Sequence, residues 1–191
     1  MFIAIEGIDG SGKSTQSLKL SEWLEERTNT KTIRTHEPYS FREFILTSKN
    51  ISPMSELLLF LADRAEHLNR VILPAIEAGH HVICERYNDS TLAYQCGGHG
   101  LNVKHVISII DSCKFPEPDA KILLDVNPEL AYSRVIQRHN LNDKFESEGL
   151  SLMKHVSDFY RSLEGYIMIP CSNMNESEVF MKITSELEKR L

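Results

Sequence analysis

An apolar run from Phe2 to Ile5 ends at Gly7, and the residues that follow, Gly7-Ile8-Asp9-Gly10-Ser11-Gly12-Lys13-Ser14-Thr15, meet the spacing G-x-x-x-x-G-K-S. This pattern builds a phosphate cradle. Its glycines remove the β-carbons that would hold backbone N–H groups away from a polyphosphate, and a helix starting near Lys13 turns its positive end to the same anion. The stretch predicts a nucleoside triphosphate site in which Lys13 reaches the β and γ phosphates and the Ser14 hydroxyl sits on magnesium. It also requires a strand before the loop and a helix after it, the first piece of a parallel α/β fold.

The rest of the chain continues that alternation. Strands are expected at residues 2–6, 31–35, 82–84, 120–126 and 166–169. Helices are expected at 14–28, 40–49, 53–78, 103–113, 128–138, 144–163 and 176–191, with a helical turn at 89–95. Cys96-Gly97-Gly98-His99-Gly100 reads as a loop. The expected fold is a three-layer α/β domain over 1–191, a five-stranded parallel sheet flanked by helices, with ligands at the carboxyl ends of the strands. A length of 191 residues suits a single core of this kind.

The net charge of −6 argues against broad nucleic-acid or anionic-membrane binding, so an anionic ligand must be held by local arginines. No basic leader is present at the N-terminus and no segment approaches a membrane span, from which a cytoplasmic protein is expected. Cys84, Cys96, Cys113 and Cys171 contain no C-x-x-C pair and read as free thiols.

A P-loop alone does not separate a switch GTPase, a motor ATPase and a small-molecule kinase. The chain has no N-K-x-D tetrapeptide and, apart from Asp9 to Gly12 within the P-loop itself, no D-x-x-G after a strand. It does place Arg64, Arg86, Arg134 and Arg138 where they can face the P-loop. Transfer between two phosphate-bearing substrates needs such cations, because charge on donor, acceptor and moving group must be neutralised together.

Over nearly its whole length the sequence resembles thymidylate kinases, which move a phosphoryl group from ATP to dTMP. The matching pieces come in order: FIAIEGIDGSGKSTQ, THEP, LLFLADRAEH, ERY, STLAYQCGGHGL, PDAKILLDVNPELAYSR and DKFE. Of these, G-x-D-G-x-G-K-S-T, A-D-R-x-x-H and A-Y-Q mark the family most specifically. The resemblance implies a P-loop kinase fold with a short lid at about 138–146, and magnesium as cofactor of ATP.

Carried over residue by residue, the resemblance gives Gly7 to Thr15 to ATP and places Asp9 against the acceptor's 3′-hydroxyl. Glu37 and Pro38 belong to the acceptor side, with Phe60 stacking on thymine and Arg64 donating to the base carbonyl; Phe60 is equally readable as core beside Leu57 and Leu61. Arg86 matches the arginine on the acceptor phosphate, Thr91 the residue bonded to the base and Tyr94 the ring that leaves no room for a 2′-hydroxyl. Gln95, Asp143 and Phe145 complete the acceptor set, with Glu146 beside them, and Glu85 joins Ser14 at the metal. Because the P-loop carries Gly10 and Ser11 at its variable positions, the catalytic arginine is assigned to the lid region: Arg138 first, Arg134 second, Lys144 third. Many bacterial members read E-P-G-G-T where this chain has Glu37-Pro38-Tyr39-Ser40-Phe41, and Glu85 stands where Asp is usual. Members are commonly homodimers, with the helix from Pro53 as the expected interface. A different nucleoside or nucleotide kinase, or a catalytically silent nucleotide-binding regulator, remains the alternative.

Overall fold

The computed structural model describes residues 1–48, 50–137 and 149–190. Five parallel strands form one sheet: β1 (Phe2–Glu6), β2 (Thr32–His36), β3 (His81–Glu85), β4 (Ala120–Asp125) and β5 (Ile167–Pro170), in the order β2-β3-β1-β4-β5. Every residue of β1 is buried, because it lies between β3 and β4 with helices over both faces. Ile3 and Ile5 are fully inaccessible, and burial of such a side chain contributes about 1.5–3 kcal/mol. Since the chain leaves β1 for α1 and then reaches β2 at the far edge, a crevice opens at the carboxyl ends of β1 and β3. Gly7, Glu37 and Arg86 all sit at that edge.

The helices are α1 (Lys13–Thr28), α2 (Arg42–Thr47), α3 (Pro53–His67), α4 (Leu73–Glu77), α5 (Asn88–Thr91), α6 (Val103–Cys113), α7 (Pro128–Gln137), α8 (Gly149–Ser162) and α9 (Glu176–Leu187). Ser52 caps α3 by accepting from the Ser55 N–H at 3.1 Å, and Pro53 takes the first-turn position where a missing N–H costs nothing. The single long helix expected over 53–78 is interrupted by a π-helical turn at Leu68–Ile72. Pro74 supplies the reason: it has no N–H to give the preceding turn, and the wider π-turn before it keeps Leu68, Ile72 and Ala75 on the sheet.

A second π-helix, Leu92–Gly98, replaces the expected glycine loop. A β-carbon at Gly97 would stand 2.5 Å from Phe159 Cβ, and one at Gly98 2.6 Å from Leu152 Cδ1, so both glycines serve the close approach of α8. The last helix ends at Leu187, short of the expected chain end. All four cysteines are free and three are buried, as expected.

Candidate active site

The P-loop delivers α1 with an uncovered N-terminus. Gly12 is left-handed at φ 99° and no side chain caps the first turn, so its N–H groups remain available to an anion. Lys13 is buried, and its Nζ donates to the carbonyls of Gly7 at 2.9 Å and Ile8 at 3.0 Å. Burial, then the neighbouring Arg86 charge, pushes this lysine down to about 8. Lys13 is thus charged below that pH and neutral above it; ATP affinity measured by calorimetry should weaken as pH is raised through about 8. Asp9, Gly10, Gly12, Lys13, Ser14 and Thr15 line the pocket, whereas the Ile8 side chain points into the core. Gly7 and Ser11 support the loop from behind; Ser11 N–H donates to Ile8 O at 3.2 Å.

Ser14 Oγ donates to Glu85 Oε2 and Ser17 Oγ to Glu85 Oε1, each at 2.6 Å, with Arg34 Nη2 donating to Ser17 Oγ at 3.1 Å. The hydroxyl and carboxylate are hard oxygen donors at the mouth of the phosphate pocket, which fits the requirements of magnesium.

A second pocket adjoins the first. Asp9, Glu37, Arg42 and Arg86 line both. Its far wall carries Pro38, Phe60, Arg64, Thr91, Tyr94 and Gln95, so every described acceptor residue expected from the sequence lies on one surface. Phe60 is half-buried, packing on the core while forming pocket wall. Arg64 is fully buried on α3: Nε and Nη2 donate to Glu37 Oε2 at 2.8 and 2.6 Å, Nη2 to Thr91 Oγ1 at 3.0 Å, and Nη1 to Asn88 Oδ1 at 3.0 Å. Glu37 also faces His67 Nδ1 at 3.3 Å, and His67 Nε2 lies 2.6 Å from Thr35 Oγ1.

The unusual turn at Tyr39-Ser40-Phe41 keeps its shape through α3. Asp63, buried one turn before His67, accepts the Tyr39 N–H on Oδ2 and the Phe41 N–H on Oδ1, each at 2.6 Å. Asp63→Asn turns one acceptor into a donor facing an N–H. We expect about 1–3 kcal/mol lost in urea unfolding, together with a raised KM for the monophosphate, since Pro38 and Arg42 flank the turn.

At the shared wall, Arg86 Nη2 donates to Asp9 Oδ1 at 2.6 Å and to the Tyr94 hydroxyl oxygen at 3.1 Å, with its guanidinium 4.9 Å above the Tyr94 ring. The Tyr94 hydroxyl in turn donates to Asp9 Oδ2 at 3.3 Å. Burial acts to raise Asp9, but Arg86 and Lys13 outweigh it and hold the carboxyl down at about 2. Arg86 itself is left-handed at φ 70°. The following turn is anchored from beneath by Glu6, fully buried, which accepts from Tyr87 N–H at 2.8 Å, Ser90 Oγ at 2.5 Å and Tyr160 OH at 3.0 Å. Burial, and then Asp89, push the Glu6 carboxyl up.

Arg134 Nη1 donates to the Gly10 carbonyl at 3.1 Å, which sets this guanidinium on the P-loop. Arg138, Asp143, Lys144, Phe145 and Glu146 lie outside the described residues. Sequence reasoning missed Arg34 and Arg42 among the pocket cations, and Glu6 and Asp63 beneath them. Arg42 carried a local signal, a cation in the first turn of a helix following Glu37-Pro38. Asp63 stands within the A-D-R-x-x-H motif, but nothing near either buried acid announced its partners, which are distant in sequence.

Comparison with known proteins points to one family. A family model described as thymidylate kinase matches residues 5–183. A thymidylate kinase of Chlorobaculum tepidum is 41% identical, with 98% of this chain and 97% of that protein covered. One from Maridesulfovibrio salexigens is 35% identical over 100% of the chain and 96% of its own length. Another, from Prochlorococcus marinus, is 39% identical over 84% and 81%.

Proposed function

The chain belongs to the thymidylate kinase family and is an ATP-dependent nucleoside monophosphate kinase, and we propose that its two adjoining pockets divide the transfer from ATP to dTMP between them. The observation that carries this reading is their common wall, where Asp9, Arg42 and Arg86 line both pockets and a donor and an acceptor phosphate can meet in line. ATP takes the P-loop pocket, held by Lys13 and the N–H groups of α1. The pyrimidine takes the pocket under α3, against Phe60, Arg64, Thr91 and Gln95.

Arg86 holds the acceptor phosphate, with Arg42 beside it. Asp9, kept ionised by Arg86, accepts from the 3′-hydroxyl, while the Tyr94 ring closes the space a 2′-hydroxyl would need. Ser14 and Glu85 are the residues that would hold magnesium, whose bound charge offsets that of the β and γ phosphates. Charge on the transferring group is assigned to Arg138 and Arg134, with Asp143 and Phe145 on the acceptor side. No covalent intermediate with the protein is required; positioning and charge neutralisation lower the barrier.

Among the described residues no helix is long and apolar enough to cross a membrane, and a cytoplasmic place in dTTP synthesis is part of the reading. So is a homodimer: Met54 and Leu58 on α3 and Leu73 and Ile76 on α4 are exposed apolar side chains, and light scattering should give twice the chain mass. An ADP-release assay across dTMP, dUMP, UMP, CMP and GMP tests the substrate. Turnover is expected with dTMP first, and clear preference for another monophosphate would overturn the assignment.

A further inference from the structure

Gln95 belongs to the acceptor wall and is completely buried, and what it offers a base depends on which end of its amide faces the pocket. An amide nitrogen and oxygen are nearly the same size, so its orientation is set by its hydrogen-bond partners. Here one partner decides. Gln95 Nε2 donates to Glu56 Oε2 at 3.0 Å, and Glu56 is itself buried on α3, with His99 Nε2 3.2 Å from the same oxygen. Glu56 Oε2 accepts from the Gln95 amide nitrogen, so it holds the NH2 end and turns the carbonyl away. Gln95 Oε1 is buried and has no partner among the described residues.

Arg64 completes the pattern. Its Nε and Nη2 hydrogens and one on Nη1 are used on Glu37, Thr91 and Asn88, leaving one Nη1 hydrogen without a partner among the described residues. Both residues line the pocket, and between them they hold one unused donor on Arg64 and one unpartnered, buried acceptor on Gln95. A thymine or uracil edge carries the complement, a carbonyl acceptor at C4 and an N3–H donor. A cytosine edge carries the reverse, an amino donor at C4 and an acceptor at N3.

We propose that Glu56, through its hydrogen bond to Gln95, is a specificity-determining positioning residue: it fixes the amide so that the pocket accepts the N3–H of a thymine-type base and rejects cytosine. The inference rests on reading this pocket as the pyrimidine site. Glu56→Gln removes the constraint, since a glutamine at 56 can accept from Gln95 or donate to it, and the Gln95 amide becomes free to turn its NH2 group to cytosine N3.

Parent, Glu56→Gln and Gln95→Leu proteins are titrated calorimetrically with dTMP and with dCMP, with thermal unfolding recorded alongside. The parent should prefer dTMP. In Glu56→Gln the ratio of the two dissociation constants should shrink about tenfold, with dCMP binding more tightly than to the parent. Gln95→Leu, which leaves α3 intact and carries the test if the first variant does not fold, should shrink the ratio by weakening dTMP alone. An equal weakening of both nucleotides, with the ratio preserved, would overturn the inference, as would a parent that prefers dCMP. A parent that binds neither nucleotide sinks the pyrimidine-site reading itself.

Discussion

Replacing Arg86 by alanine is expected to lower kcat/KM for dTMP about 10³-fold, the loss that follows removal of a charged donor from a site built around developing phosphate charge. Arg86→Lys should recover only part of this. A lysine keeps the charge but not the planar fork that reaches Asp9 and Tyr94 through one nitrogen and the Gly7 carbonyl at 3.3 Å through the other. Stability should separate from activity in a third variant. Because residue 86 sits at φ 70°, Arg86→Gly should be about 1 kcal/mol more stable than Arg86→Ala in urea unfolding while being equally inactive. A loss of only a few-fold in the alanine variant would reduce Arg86 to a partner of Asp9 and remove it from the acceptor phosphate.

The second large effect is expected at Gly10. Its φ is 79°, and a β-carbon there would lie 2.3 Å from the Ala131 carbonyl oxygen and 2.9 Å from the carbonyl carbon. These are backbone atoms of α7, and Ala131 is fully buried, so no side chain can swing aside. Either the P-loop or α7 must move. Gly10→Ala should therefore destabilise the protein by about 2–4 kcal/mol and, through displacement of the loop, cut kcat about 10²-fold. Parent-like melting and turnover in this variant would show that α7 yields freely. The same clash gives a packing reason for the absence of a P-loop arginine here: position 10 has no room for one, and Arg134 reaches the loop from α7 instead.

The sheet and the P-loop were legible in the sequence because their signals are local. Continuous apolar runs mark buried parallel strands, and the glycine-lysine-serine spacing can be read without knowing the fold. Gly97 and Gly98 show the limit of local reading. A glycine pair that permits a turn looks the same as one that admits a neighbouring helix, and only the position of Phe159 and Leu152 on α8 distinguishes the two. The buried acids were illegible for a related reason. Glu6 meets Ser90 across 84 residues and Tyr160 across 154, and Glu56 meets Gln95 across 39; nothing near an acid in sequence announces such a partner. Phe60 lay between these cases, since an apolar stripe on α3 serves the core and the pocket at once.

Asp63 has a consequence for how this part of the protein can change. The two N–H groups that shape the turn after β2 are received by a carboxylate 24 and 22 residues further along, on a different element. The conformation of residues 39–41 is therefore specified from outside the segment. The path of the turn does not depend on glycine within it, which is how Tyr39 and Ser40 can stand where glycines are usual, and Phe41 where threonine is, without displacing Glu37 or Arg42. Among related chains, composition at the turn should drift while the acid on α3 is retained, so substitution tolerance here is asymmetric between a visible loop and the inconspicuous helix residue that dictates its path.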